Sequence, residues 1–331
     1  MKFLIICDYR ENMKNYLVSN NNLYNDHASM KNIEEIICAI QELGYECQYF
    51  GGIPELIHAV DTKQTFEDCV FLNFSDGMDE KYSRVQAPAL LDILNVPYSG
   101  SDVFASVLMT NKHFCKQALR EYNILMPRSC IVTLRTPLYL QEVADWNMPL
   151  IVKPNCEGSS LGITKENVCH TWHEAQDKTK ELLSRFDELI VEEYISGIDV
   201  TNFLIGNEGE YIINDIISAR LFDESPYAVY GLVEKHEKMR TLYYNDEFLC
   251  SQDVIKMQKQ SLAIAQILGA RDICRLDYRY NEATHQYYFI EINTAPRFSS
   301  TSEIGFIAEK RNVSFKEIIQ YYITTVTKRI S

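Results

Sequence analysis

The sequence predicts an α/β protein that passes to α+β in its C-terminal part, opening on a parallel sheet. Three observations carry this. In the first hundred residues, apolar runs alternate with a helical spacing in the order βαβαβ, which calls for a parallel sheet covered by helices. From Leu189 to Ile217, three strand-like runs follow one another with only polar turns between them, the mark of an antiparallel sheet. Ile273–Tyr280 and Tyr287–Asn293 then read as a hairpin.

Phe3–Cys7 is a short apolar strand, and Asn15–Asn25, with five Asn, reads as a loop. Met30–Leu43 sets Ile33, Ile36, Ile37, Ile40 and Leu43 at helical spacing and stops at Gly44. Glu46–Phe50 and Val70–Phe74 are strands, and Ala87–Leu94 is a helix ending before Val96-Pro97. Beyond Ser99-Gly100-Ser101 the sequence predicts one helix over Val103–Tyr122. Strands at Ser129–Thr133 and Leu150–Lys153 lead to a loop, Pro154–Gly162, and Thr171–Phe186 is helical. Leu189–Tyr194, Val200–Ile205 and Tyr211–Ile217 are the three antiparallel strands, and Phe222–Asp246 is long, charged and irregular. Ser251–Leu268 and Val313–Lys328 are helices. A chain of 331 residues suffices for two or three domains at ~150 residues or fewer each. The breaks fall near 100 and 190, giving units 1–100, 101–190 and 191–331.

The net charge of −14 repels nucleic acid and anionic membrane, so a polyanion would need a local basic pocket. No apolar stretch approaches the ~18 residues of a membrane span. Met1–Cys7 runs straight into Asp8, Arg10 and Glu11, as a first strand does and a signal peptide does not. The ten cysteines contain no Cys-x-x-Cys pair, and several lie in apolar runs, so reduced thiols and a cytoplasmic location are expected.

Three segments carry chemistry. In Pro149-Leu-Ile-Val-Lys-Pro-Asn-Cys-Glu-Gly-Ser-Ser-Leu-Gly162, an apolar strand delivers Lys153 to a loop with Gly158, Gly162, Ser159 and Ser160. Glycines let backbone N–H groups approach an anion, hydroxyls add donors and lysine adds a point charge, which suits a nucleoside triphosphate. A glycine-bearing hairpin beside a surface lysine would read the same way, and no Walker loop is present. In the hairpin, Asp277 and Glu291 can face one another, with Asn293 on the same face as Glu291. Two carboxylates and an amide converging between Leu276, Ile290 and Ile292 call for a hard cation such as Mg²⁺, or else for a face in solvent. The third segment, Leu189–Asp199, brings Glu192, Glu193 and Asp199 to the end of a strand, as a nucleoside-binding hinge or a solvated edge.

Together these pieces resemble an ATP-grasp ligase, and specifically the D-alanine–D-alanine ligase group. The carrying motifs are Val96-Pro-Tyr-Ser-Gly-Ser-Asp102 with Asn111-Lys112, Ile151–Gly162, Val191-Glu-Glu-Tyr-Ile-Ser-Gly197, Arg275-Leu-Asp277 and Glu291-Ile-Asn-Thr-Ala-Pro296. The resemblance implies three domains, the first a pre-ATP-grasp domain, with ATP held between the central and C-terminal ones. It implies Lys112 and Lys153 on the phosphates, with Glu157, Ser159 and Ser160 in the loop above them. Glu192, Glu193 and the backbone through Ile195 would meet adenine, and Asp199 the ribose. Asp277, Glu291 and Asn293 would hold two Mg²⁺. Arg275, with Ser159 and Lys153, would serve the chemistry, in which a carboxylate becomes an acyl phosphate that an amine attacks. Lys235 or Lys238 would reach the γ-phosphate, and Tyr230 would line the site. Small amino-acid or carboxylate substrates and a homodimer belong to the same implication.

The amino-acid site departs from the group. The glutamate motif that holds the first amino group has no counterpart, and Asp26 or Asp76, oriented by Arg84, stands in that region. After Pro296 the group has Gly, whereas this chain has Arg297; where the group has Ser-Leu, it has Ser302-Glu303. An acid there repels a substrate carboxylate or attracts an amine, and Arg297 can clamp a carboxylate, unless both point to solvent. The expected activity is therefore a specialised ligase, with true D-alanine–D-alanine ligation as the alternative. A non-catalytic ATP-binding relative would need a lost ligand, yet Lys112, Lys153, Arg275, Asp277, Glu291 and Asn293 are all present.

Overall fold

The computed structural model describes residues 1–16, 27–78, 82–139, 143–158, 161–223, 225, 227–229, 231 and 239–331. Five residues expected at the site, Asp26, Ser159, Ser160, Tyr230 and Lys235, lie outside the described residues, as does Lys238.

The N-terminal unit is a three-stranded parallel sheet in the order β2-β1-β3, with β1 at Lys2–Ile6, β2 at Glu46–Gly51 and β3 at Cys69–Asn73. Phe3, Leu4, Ile5 and Ile6 are all buried, as a central parallel strand covered on both faces requires. Leu4 and Ile6 pack towards Leu56, Phe71 and Leu91. Phe3 and Ile5 pack towards Ile36 and Ile40 of the helix Met30–Glu42, and towards Ile319, Tyr322 and Ile323 of the last helix, Phe315–Ile330. Helices at Arg10–Tyr16, Ile53–Asp61 and Glu303–Arg311 were not foreseen from sequence.

The predicted helix Val103–Tyr122 is two helices, Val103–Thr110 and Lys112–Ala118. Asn111 takes an extended conformation and its side chain accepts from Phe114 N, capping the second helix and breaking the first. That break turns Lys112 and Lys116 inward.

The middle sheet has the order β4-β7-β5-β6, from Ser129–Thr133 (β4), Leu150–Pro154 (β5), Val168–Cys169 (β6) and Glu188–Glu193 (β7). The third sheet runs β10-β9-β8-β11-β12, from Ile198–Asn207 (β8), Glu210–Leu221 (β9), Arg240–Tyr244 (β10), Ile273–Asn281 (β11) and Gln286–Asn293 (β12). Two expectations are corrected here. The run at Leu189 does not join the two strands that follow it but pairs with β4 and β5, because Gly197 turns the chain out of that sheet. The end of the supposedly irregular Phe222–Asp246 segment is an edge strand, β10, paired with β9. Gly197 has φ +134°, and a Cβ there would lie 2.0 Å from the Tyr280 carbonyl oxygen. Gly197→Ala should therefore cost about 2 kcal/mol of stability, read as a lowered denaturant midpoint; an unmoved midpoint would refute this account of the turn.

Candidate active site

The two antiparallel sheets face one another across a cavity of about 870 Å³, which the N-terminal unit closes at one end. On one wall, β5 and β7 present Lys153 and Glu192, followed by the backbone of Tyr194 and Ile195. On the other, β11 turns Arg275, Asp277 and Arg279 into the cavity, while the alternate residues Leu276, Tyr278 and Tyr280 are buried beneath the sheet. Adjacent β12 adds Glu291 and Asn293.

Register brings the acidic cluster together: Asp277 lies opposite Glu291, and Arg275 opposite Asn293. Arg275 grips Asp277 with both arms, Nε to Oδ1 at 3.0 Å and Nη2 to Oδ2 at 2.7 Å. Thr201 Oγ1 donates to Asp277 Oδ1 at 3.0 Å, and Asn293 Nδ2 to Asp277 Oδ2 at 3.3 Å. Lys112 Nζ lies 3.2 Å from Glu291 Oε2 and also donates to the Glu157 carbonyl. Burial alone would lift the Glu291 carboxyl, but Lys112, Lys153 and Arg275 hold it down at about 2. Asp277 is raised, by burial first, against the pull of Arg275 and with a push from Glu291.

Deeper in, Glu192 is 1% exposed and ion-paired to both Lys116 and Lys153. Burial would raise its carboxyl, but the two lysines outweigh burial and hold it at about 2. Its carboxylate is thus engaged by both lysines at the cavity wall. The side chain of Glu193 is likewise engaged, accepting from Asn147 N at 2.8 Å and Asn147 Nδ2 at 3.1 Å. Asp199 faces the cavity but is held by Arg279 Nη1 at 2.7 Å, while Arg279 Nε donates to the Ile195 carbonyl at 3.1 Å.

The far end differs in character. Phe74, Ile33 and Ile36 give it apolar walls, and Asp76 and Arg84 stand on its rim, 3.0 Å apart. Glu303 does not point to solvent: it lines the cavity and pairs with Arg240, and Arg275 and Arg240 outweigh burial to hold it at about 2. Arg297 lines the cavity from an exposed position. The Ser302 hydroxyl donates inward, to the carbonyls of Arg297 at 3.0 Å and Ser299 at 2.9 Å. Lys112, Asp199, Arg275, Asp277, Glu291 and Asn293 therefore meet in one cavity. Among the described residues expected at the site, Glu157 does not line the cavity, and its carbonyl accepts from Lys112, which does.

Sequence reading missed Lys116, Arg279 and Arg240. Two of them carried a signal: Lys116 stands four residues after Lys112 on a helix, and Arg279 continues the alternation of Arg275 and Asp277. Arg240 lay in the segment read as irregular and carried none.

Comparison with known proteins agrees with this architecture. The fold matches that of the D-alanine–D-alanine ligase of Bacillus anthracis complexed with ATP at TM-score 0.75 and 19% identity, over 99% of this chain and 98% of that one. The VanG D-Ala:D-Ser ligase of Enterococcus faecalis matches at TM-score 0.75 and 17% identity, over 98% of this chain and 99% of the other. At these identities the likeness shows the fold. The D-ala D-ala ligase C-terminus family model matches residues 120–324, more than half of the chain, and the chain belongs to that family of carbon–nitrogen bond-forming ligases. Among relatives, the D-alanine–D-alanine ligase of Thermotoga petrophila is 27% identical over 292 residues, 88% of this chain and 90% of that protein. The Aquifex aeolicus enzyme of the same name is 28% identical over 299 residues, 89% and 94% of the two chains. Among the described residues no helix is long and apolar enough to cross a membrane.

Proposed function

We propose that this chain is an ATP-dependent ligase that joins a carboxylate to an amine through an acyl phosphate, acting on amino-acid substrates in a specialised pathway. The observation that carries the reading is the meeting of Lys112, Lys153 and Arg275 with Asp277, Glu291 and Asn293 in one cavity. Lys112 and Lys153 are the phosphate cations, and Ser159, Ser160 and Lys235 serve the same phosphates. Adenine meets the backbone from Glu193 to Ile195, Asp199 takes the ribose, and Glu192 fixes the lysines. The units 1–100, 101–190 and 191–331 divide the work between substrate, phosphate loop and metal, and the assembly this reading carries is a homodimer.

Asp277, Glu291 and Asn293 are hard oxygen donors on one face of one hairpin, and they draw Arg275, Lys112 and Arg84 towards them. That donor chemistry fits Mg²⁺, two ions in this reading, which when bound would neutralise phosphate charge. The chain's own cations do the rest. A substrate carboxylate oxygen attacks the γ-phosphorus and ADP leaves. The amine nitrogen then attacks the acyl carbon, a C–N bond forms, and phosphate and one proton depart. Arg275, fixed by Asp277, stabilises the charge that develops on the acyl oxygen.

A second reading, D-alanine–D-alanine ligation, is favoured by the names of the relatives. The ionised Glu303 beside Arg240, where the resemblance expects an apolar residue, favours a different acceptor. Phosphate release from Mg·ATP with D- and L-amino acids, singly and in pairs, with mass spectrometry of products, separates the two. Dipeptide from D-alanine alone decides for the second reading; turnover only with another pair decides for the first. Glu303→Leu should change the preferred amine by about tenfold in kcat/KM while leaving nucleotide affinity in place. An unchanged amine profile would remove Glu303 from the acceptor site.

A further inference from the structure

We propose that Arg84 is a catalytic residue of the phosphoryl step: a guanidinium delivered by the N-terminal unit that contacts the phosphoryl group in transfer and ties that transfer to the loop carrying Asp76. The inference rests on the nucleotide reading above and adds a group which that reading does not use. Arg84 sits in the short turn Ser83–Val85, ahead of the helix Gln86–Leu94. Its Nε donates to Asp76 Oδ1 at 3.0 Å, and its Nη1 to Asn293 Oδ1 at 3.2 Å, across 209 residues of chain. Its Nη2 points at the phosphate loop, 3.5 Å from where a Cβ on residue 158 would stand. That distance is an ordinary contact, so Gly158 is not there to make room; it marks where the fork points. Lys112 donates to the carbonyl of Glu157, one residue earlier. Two cations from different units therefore flank the start of the phosphate loop.

A guanidinium has five N–H donors in a fixed plane, and the two bonds above fix that plane while using two of them. The side chain is 20% exposed, in the cavity that also holds Lys112, Lys153 and Arg275. A phosphoryl group in flight spreads its charge over three equatorial oxygens, and a pre-oriented, partly desolvated arginine stabilises that charge without reorganising. Because Arg84 and Asp76 share one segment, the cation is in place only when the substrate loop is.

A plain brace between Asp76 and Asn293 is the competing role, and affinity for a mimic of the transferring phosphoryl group separates the two. The affinity of the full chain for Mg·ADP, alone and with aluminium fluoride as a mimic of the transferring phosphoryl group, is measured by calorimetry for wild type, Arg84→Ala, Arg84→Lys and Asp76→Asn. ADP affinity should be unchanged in all four, which also shows that the variants fold. The tightening that fluoride produces should fall at least about tenfold in Arg84→Ala, fall less in Arg84→Lys, and persist in Asp76→Asn. Full tightening in Arg84→Ala, no tightening in the wild type, or a loss in Asp76→Asn equal to that in Arg84→Ala would each overturn the proposal. Failure of the wild type to bind Mg·ADP would bring down the nucleotide reading itself, and this proposal with it.

Discussion

Glu192→Gln should be among the most damaging single changes to the fold, although it alters one atom. The variant leaves Lys116 and Lys153 buried without their shared counter-ion, and breaking a buried pair from one side costs about 3–5 kcal/mol. At the few degrees per kcal/mol usual for larger domains, the melting temperature should drop by roughly 10 °C. The pH dependence has a definite sign. Glu192 is held at about 2 against an ordinary 4.5, so its contribution to stability is present above 4.5 and drains away as pH falls towards 2. The variant should therefore lose stability at neutral pH and show a shallower acid limb than the wild type. Adding Lys116→Met removes one of the two orphaned charges, so the double variant should recover part of the loss. Thermal melts of the four members of this cycle between pH 3 and 8 decide the matter. Equal melting temperatures for wild type and Glu192→Gln would mean that the triad is not the buried electrostatic unit described here.

This triad also shows where sequence stops being informative. Lys153 was visible because an apolar strand and a glycine loop flank it, and Glu192 because it ends a strand. Lys116 looked like any helix lysine; only the break at Asn111, a matter of one cap, aims it at Glu192. The acidic cluster was legible for the opposite reason. Alternation along a hairpin is short-range geometry, so Asp277, Glu291 and Asn293 could be placed on one face from spacing alone, and the register places them there. Strand partners were less legible. Nothing local in Leu189–Tyr194 says that it pairs with β4 and β5 and not with the strands that follow it, because a two-residue period is the same in any sheet. The far end of the cavity was the least legible part. Its walls come from residues 33, 74, 84, 240, 297 and 303, and contacts such as Arg84 with Asn293 close over a span no spacing rule covers.

Glu291→Gln should have the largest effect on turnover, and its effect on binding should change sign with metal. With Mg²⁺ present, and Glu291 a ligand to it as proposed, the loss of that hard anionic donor should lower kcat/KM by about 10²–10³, the scale on which a misplaced charge acts in a pre-organised site. Without metal the argument reverses. Glu291 is then a half-buried carboxylate, held at about 2, that keeps Lys112 occupied and stands in the same cavity as Lys153, the other cation assigned to phosphate in the proposed reading. Removing its charge frees Lys112 for phosphate and removes a like-charge repulsion, so ADP should bind the variant at least as well as the wild type in EDTA. Wild type should gain affinity on adding Mg²⁺, and the variant should gain little. Lys112→Ala makes the converse case: it leaves the proposed metal ligands in place and should weaken ADP binding both with and without Mg²⁺. Titrating ADP into the three proteins, with EDTA and then with excess Mg²⁺, separates a ligand to the metal from a partner of a lysine. A variant that loses affinity equally in both conditions would make Glu291 a brace for Lys112 and leave the metal to other residues.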